Sequence, residues 1–275
     1  MKKLLFLATI CAAFCACSND ASEVMEDEEA ELVTLTFSPY EQSAMARTTR
    51  ATTSIASVVN HLDVWITDGT TTTDLHQTNT DADFGSLSVT LDKTKTYTLY
   101  AIGHKADGAT LSDGVISFTN DKVTHAMFYS TTFSPATTTN LSCLMNRIVA
   151  DFRLEITDNI PAECKSLRFT ISNVFDRWNV STGGTHGLDR VSTITYGGTS
   201  AIFNVYAIVT DASTTHDITV TALDENGQEL QTQTFNDVPL RNGYKTNYRG
   251  TFFIDTPTTA AFTVDDWNEY DEVTF

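Results

Sequence analysis

Six histidines are the side chains of this sequence best suited to acid–base chemistry or metal binding. They stand at scattered positions without paired ligand spacing, and no Ser, His and Asp arrangement can be placed without a known fold for it. Residues 224–227 (DENG) lack the further oxygens and the late bidentate glutamate of a Ca²⁺ loop, which favours a β-turn. We therefore predict no enzyme, no metal site and no cofactor. The histidines are His61, His76, His104, His125, His186 and His216.

Cysteines and tryptophans offer two further kinds of chemistry. Cys143 and Cys164 could form a disulfide in an oxidising envelope, but they flank a long predicted strand whose ends should lie far apart. We expect two buried thiols. Trp65, Trp178 and Trp267 could form a sugar-binding platform, although single aromatic residues on strands more often pack in a core or at its rim.

The N-terminus carries the clearest chemical signal. Residues 1–16 (MKKLLFLATICAAFCA) have a basic start and a short apolar core, which is typical of a secretory signal peptide. Cys17 follows the small Ala16 and resembles the lipidated cysteine of bacterial lipoproteins, although Phe14-Cys15 departs from the usual residues before it. Acyl chains on Cys17 would hold the protein to a membrane. A plain signal peptide with incidental cysteines is the alternative.

Charge and composition describe an exported acidic protein. The formal net charge is −18, and removal of a segment that contains Lys2 and Lys3 makes it still more negative. Such a charge argues against nucleic acid as a partner. Residues 17–31 form an acidic tether with four consecutive acidic residues, which resembles the signal for the outer face of the outer membrane in some Gram-negative anaerobes. We expect an outer-membrane, cell-surface location through a lipid anchor.

A half-buried strand is predicted over residues 144–156 (LMNRIVADFRLEI). Its even-numbered apolar residues, from Leu144 through Phe152 to Ile156, fall on one face, and charged residues such as Arg153 fall on the other. Thirteen residues would run about 44 Å, so we expect a bend or bulge near the off-phase Asn146 and Val149. We interpret this stretch as the first strand of a second β-domain.

An earlier strand is predicted at residues 33–37 (VTLTF), with Val33, Leu35 and Phe37 pointing inward. Residues 41–53 then form a small, polar loop that contains Arg47 and Arg50. An exposed protease could cut after either arginine; a loop without processing is the alternative.

Short strands at roughly even spacing, with little helical periodicity, predict an all-β protein of two tandem β-sandwiches. The Thr-rich residues 70–85 are interpreted as a long loop. The predicted domains are residues 32–140 and 141–275. Other predicted strands are residues 62–66, 85–91, 97–102, 115–119, 127–132, 167–171, 201–209, 218–223, 229–235, 248–254 and 261–264.

Four segments resemble the fimbrillins, the subunits of protease-matured type V pili and their lipoprotein relatives. They are residues 86–104 (SLSVTLDKTKTYTLYAIGH), 146–161 (NRIVADFRLEITDNIP), 166–174 (SLRFTISNV) and 235–253 (FNDVPLRNGYKTNYRGTFF). The resemblance implies two transthyretin-like β-sandwiches, export as a lipoprotein, and loss of the first strand after cleavage at an arginine. A strand from a neighbouring subunit then fills the opened groove.

Carried over to this chain, the resemblance makes Cys17 the lipidated residue, residues 33–37 the displaceable strand, and Arg50 the cleavage site, with Arg47 as the lesser choice. Its partners would be other fimbrial subunits, identical or paralogous, and a host or bacterial surface ligand. A stalk, tip or anchor role remains open. The alternative is a non-polymerising surface lipoprotein that binds glycans, which should expose aromatic side chains rather than a displaceable edge strand and a donor tail.

Overall fold

The protein is all-β. The computed structural model describes residues 30–39, 54–210, 212–254 and 262–266, and these contain seventeen strands and two short 3₁₀ turns. The predicted fold class is confirmed. Within these ranges, no helix has the length and apolar character needed to cross a bilayer.

The strands are numbered in chain order. The first nine are β1 (Ala30–Pro39), β2 (His61–Thr67), β3 (Thr72–Thr78), β4 (Ser86–Asp92), β5 (Tyr97–His104), β6 (Ala109–Ser112), β7 (Val115–Phe118), β8 (Ala126–Phe133) and β9 (Asn140–Arg147). The others are β10 (Ala150–Ile156), β11 (Ser166–Asn179), β12 (Gly183–Thr195), β13 (Ile202–Ala207), β14 (Thr214–Leu223), β15 (Glu229–Leu240), β16 (Tyr244–Gly250) and β17 (Phe262–Asp266).

The N-terminal sandwich is one seven-stranded sheet that folds over its own core. Its order is β3-β2-β5-β8-β9-β1-β4, and only two residue pairs join β8 to β9. The sheet therefore bends there and closes around apolar side chains from both halves. Alternation explains the packing, since Leu62, Val64 and Ile66 of β2 enter the core while Asp63 and Trp65 face the other way.

The C-terminal sandwich has two separate sheets. One sheet has the strand order β13-β10-β16-β17. The other has the order β15-β14-β11-β7-β6, and β12 pairs with β11 outside this order. Phe152 and Leu154 of β10 pack against Phe169 of β11 and Phe235 of β15 in a shared core. As predicted, Phe152 and Leu154 belong to the core of this second sandwich.

A third apolar cluster joins the two sandwiches, and we call it the joint. The β6–β7 hairpin comes from the N-terminal half, yet β7 pairs antiparallel with the end of β11 and extends a C-terminal sheet. Trp65 from the first sandwich and Trp178 from the second both lie in this cluster. Its buried residues are Trp65, Ile102, Ala106, Ile116, Phe118, Val123, Ala126, Phe128, Ile148, Val149, Trp178 and Ile208.

The stretch predicted as one strand over residues 144–156 is two strands in different sheets. β9 ends at Arg147 and β10 begins at Ala150, with the change of direction at Ile148 and Val149, in the region where a bend was expected. Both of these residues are buried in the joint, so the alternation shifts by one residue between the strands. The assignment of Leu144 to the inner face is therefore wrong, since it is 39% exposed.

Two other sequence interpretations, the loop over residues 70–85 and the core position of Ile148, differ from the structure. Residues 70–85 are not one long loop, because β3 pairs along its whole length with β2. Ile148 packs in the joint and not in the second core. The predicted domain boundary between residues 140 and 141 falls at the start of β9, which is a strand of the N-terminal sheet. The β6–β7 hairpin lies in the first predicted domain but belongs to a C-terminal sheet.

Candidate functional site

Strand β1 is inserted between two other strands of the N-terminal sheet. It pairs antiparallel with β4 on one side and parallel with β9 on the other. β1 is therefore an interior strand, whereas the simplest model of strand displacement requires a strand at the sheet edge. Its loss would separate β4 from β9 and leave both with unpaired backbone groups.

The inward side chains of β1 fill part of the N-terminal core. Val33, Leu35 and Phe37 are buried in it, whereas Leu32 on the opposite face is 58% exposed. The predicted alternation of this strand is confirmed. Full burial of side chains of this size contributes about 1.5 to 3 kcal/mol each, so removal of β1 would expose an apolar groove at a considerable cost in free energy.

The other predicted maturation residues lie outside the described part of the chain. This holds for Cys17, Arg47 and Arg50 alike. The chain leaves β1 at Pro39 and is described again from Ser54, where the Ser54 side chain caps a 3₁₀ turn. Along the chain, residues 40–53, which contain both arginines, connect β1 to the described residues that follow it.

Within the described ranges, the last strand, β17, pairs with β16 alone. It runs antiparallel to β16 at the edge of the four-stranded sheet, with Val264 opposite Thr246 and 47% exposed. The residues after Asp266 lie outside the described ranges. A strand at a sheet edge can leave its sheet with fewer broken hydrogen bonds than a central strand.

Three histidines and one aspartate converge on the outer face of the N-terminal sheet. Asp63 Oδ1 lies 2.7 Å from His76 Nδ1, and its Oδ2 lies 2.6 Å from His104 Nε2. The His61 ring stacks on both, with centroids 5.6 Å from His76 and 5.3 Å from His104. In the described ranges no group of three or more His, Cys, Asp or Glu residues is arranged to hold a metal ion.

The six histidines lack ligand spacing in the sequence, yet three of them meet in the folded protein. Strand register creates the group, since His61 stands opposite His104 and Asp63 stands opposite His76. The usable signal was the spacing of two between Asp63, on the predicted strand 62–66, and His61, just before it. Their partner His76 lies on β3, which was interpreted as a loop, and His104 is the last residue of β5, beyond the predicted strand. The sequence therefore did not reveal either partner.

The two cysteines beyond the N-terminal region are free, as predicted. Cys143 lies in the N-terminal core and Cys164 in the C-terminal core. Burial raises the pKa of Cys143 to about 12 and also raises the pKa of Cys164. Both thiols are thus protonated and unreactive near neutral pH.

Three other sequence candidates, Trp65, Trp178 and the turn at residues 224–227, have structural positions. Trp65 and Trp178 are buried in the joint, which agrees with core packing, while Trp267 lies outside the described residues. Residues 224–227 form the predicted turn, in which Asp224 Oδ1 accepts hydrogen bonds from the main-chain N–H groups of Asn226 and Gln228.

Comparison with known proteins shows the fold alone. No family model matches the chain, and no curated protein matches it in sequence. A candidate cell adhesion protein from Bacteroides uniformis is similar in structure, with a TM-score of 0.52, 16% identity, and coverage of 87% of this chain and 100% of that one.

Two further solved structures share this architecture. A candidate polysaccharide binding protein from Bacteroides thetaiotaomicron has a TM-score of 0.53, 9% identity and coverage of 88% and 100%. A candidate cell adhesion protein from Bacteroides ovatus has a TM-score of 0.50, 14% identity and coverage of 86% and 98%. At these identities the two-sandwich architecture is what the proteins have in common.

Proposed function

We propose that this protein is a non-enzymatic structural or adhesive subunit of a cell-surface pilus, exported as an outer-membrane lipoprotein and assembled by strand exchange. The observation that carries the proposal is the position of β1. It is buried between β4 and β9, and the connection from β1 to the described residues after it contains Arg47 and Arg50. One cut in this connection would free the strand from the rest of the chain.

Release of β1 would create a groove that can bind another strand through its backbone and through its side chains. Its walls would be the free backbone edges of β4 and β9, and its floor would be the space left by Val33, Leu35 and Phe37. A strand from another subunit can supply main-chain hydrogen bonds for affinity and alternate apolar side chains for register. The C-terminal tail, with the apolar residues Phe262, Val264, Trp267, Val273 and Phe275, is our candidate donor.

The structural neighbours described as candidate cell adhesion proteins support an adhesive role at the cell surface. The partners in this proposal are other fimbrial subunits, the outer membrane through the lipid, and ligands on host or bacterial surfaces. A glycan-binding lipoprotein is the second candidate, favoured by the neighbour described as a candidate polysaccharide binding protein. Burial of Trp65 and Trp178 weakens it, since neither is available as a sugar platform.

Replacement of Cys17 by alanine is expected to abolish lipid attachment and membrane association. The proposed anchor depends on this one thiol, and soluble protein should appear in the medium or periplasm. Metabolic labelling with a fatty acid and membrane fractionation measure both effects, with Cys15→Ala as the matched control. Full labelling and full membrane retention of the Cys17→Ala variant would show that the assignment is wrong.

Treatment of the purified protein with an Arg-specific protease is expected to convert monomer into a ladder of oligomers. Cleavage after Arg50, or after Arg47, allows β1 to leave and a donor to replace it, and size-exclusion chromatography follows the conversion. A double Arg47→Ala, Arg50→Ala variant should stay monomeric. Deletion of residues 265–275 should also prevent oligomers while leaving cleavage intact.

The two controls separate cleavage from donation. Cut protein that stays monomeric with its tail intact would overturn the stalk role, and it would leave a tip, an anchor or the glycan-binding alternative. Binding to a polysaccharide array by the uncut protein would favour that second candidate.

A further inference from the structure

Asparagine is followed by glycine at two places in the sequence, Asn226-Gly227 and Asn242-Gly243. In such a pair the main-chain nitrogen of the glycine can attack the side-chain amide carbon of the asparagine, because glycine has no Cβ to hinder the approach. This reaction is one reason why asparagine counts as a thermolabile residue. Its rate in a folded protein depends on how firmly the structure holds the two reacting groups.

The first pair lies in the exposed turn between β14 and β15. No heavy atom beyond the neighbouring residues lies within 4 Å of the position that a Cβ on Gly227 would take. The Gly227 N–H donates a 3.2 Å hydrogen bond to the Asp224 carbonyl. Hydrogen bonds from the Gln228 N–H, and then from the N–H and side-chain amide of Asn226, lower the pKa of Asp224. All these contacts belong to one surface turn, so a local opening of the turn releases both reacting groups.

The strands beside this turn favour such an opening. Among the described strands, β15 pairs with β14 alone, at the edge of its sheet. The pairing is irregular next to the turn, because Ala222 stands opposite Gln231 whereas Leu223 stands opposite Glu229. Opening the turn therefore breaks few hydrogen bonds and disturbs no core side chain.

The second pair has the same residues in the opposite setting. Asn242 is 7% exposed, and its side chain bonds at both ends to Val209: Nδ2 donates to the Val209 carbonyl over 2.8 Å, and Oδ1 accepts from the Val209 N–H over 3.0 Å. The Gly243 N–H donates to the Val149 carbonyl over 2.8 Å. The amide and the attacking nitrogen are thus held by two different segments of the chain. Bringing them together would break buried hydrogen bonds, which is costly.

We propose that Asn226 is a site of spontaneous deamidation in the folded protein and that the fold protects Asn242 from the same reaction. The Gly227 nitrogen forms a bond to Cγ of Asn226, the C–N bond of the side-chain amide breaks, and its nitrogen leaves as ammonia with the proton from the Gly227 N–H. Water then opens the resulting cyclic imide at one of its two carbonyls and leaves aspartate or isoaspartate. Water is the one co-reactant, and no oxidant or reductant takes part.

The modification adds one negative charge to a turn that is already acidic. Asp224 and Glu225 stand beside Asn226 in the sequence, and Glu163 lines the same surface depression as these two acids. Asn226 and Gly227 lie outside the C-terminal core, so the modified protein keeps its packing. The product is therefore a more acidic form of the folded protein that accumulates with the age of the molecule. It depends neither on β1 nor on strand exchange.

Peptide mass spectrometry of the aged protein measures both pairs in one sample. Purified protein is incubated at mildly alkaline pH and body temperature, and is then digested at mildly acidic pH, where the reaction is slow. The peptide with Asn226 should gain aspartate and isoaspartate with time, and Asn242 should react at least about a hundredfold more slowly, because its reaction requires a larger opening of the fold. An unmodified Asn226, or equal rates at the two sites, would overturn the proposal.

Two controls separate the effect of the fold from that of the sequence. In concentrated urea both pairs should react at similar rates, and an Asn242 that stays slow there would show that the fold is not what protects it. Asn226→Gln lengthens the side chain by one CH₂ group, so attack by the Gly227 nitrogen would have to close a larger and less favourable ring. This variant should no longer accumulate the acidic form on isoelectric focusing. Accumulation at the unchanged rate would place the reaction at another residue and contradict the assignment.

Discussion

Replacement of Phe152 by alanine is expected to lower the free energy of unfolding by about 3 to 5 kcal/mol. The side chain is fully enclosed in the C-terminal core, where its ring centroid lies 6.1 Å from that of Phe235. β10 is held on both sides, by β13 and β16, so the backbone cannot move in to fill the cavity. The truncation should thus cost both the transfer free energy of the ring and the cavity term.

Arg153→Ala is the matched control for this change. Arg153 is the next residue of the same strand and points to the opposite, partly exposed face. Urea unfolding followed by circular dichroism should show a much smaller loss for Arg153→Ala than for Phe152→Ala. Equal losses would mean that the inward and outward faces of β10 are assigned the wrong way round.

The strands that sequence predicted best have one buried face. In β10 the alternation of Phe152 and Leu154 with Arg153 and Glu155 reflects a core on one side and a polar surface on the other. The same holds for β1. A burial difference between faces fixes both the presence and the phase of a strand, because a slip of one residue would invert every side chain.

Strands without such a difference escaped prediction. β3 and β12 carry mainly polar or partly exposed side chains on both faces, so their sequences resemble loops. Each is held at a sheet edge by pairing with one neighbour, β2 and β11 respectively. That pairing depends on tertiary structure, which local propensity cannot report.

Long-range pairing also limited the prediction of the candidate site. The inward set of Val33, Leu35 and Phe37 follows from alternation, but the parallel pairing of β1 with β9 joins residues about a hundred positions apart, such as Thr34 and Asn140. The β6–β7 hairpin likewise crosses to the other sandwich. Neither pairing has a local sequence signature, so the position of β1 within the sheet could not be predicted.

Leu35→Ala is expected to lower the free energy of unfolding by about 2 to 5 kcal/mol. Leu35 is completely buried in the N-terminal core, and its strand is held between β4 and β9, so little relaxation into the cavity is possible. The change also removes apolar contacts that keep β1 in the sheet. In protein cut after Arg50, β1 should therefore leave faster than it does without the substitution.

The control for Leu35→Ala lies on the same strand. Leu32 is 58% exposed on the outer face, and its truncation should change stability by less than about 0.5 kcal/mol. Urea unfolding measures both variants, and mass spectrometry of cut protein after gel filtration measures retention of the β1 peptide. Similar retention for the two variants would mean that hydrogen bonds to β4 and β9, rather than the inward side chains, hold the strand. Donor exchange would then depend on backbone pairing alone, and the inward side chains of the donor would have no role in it.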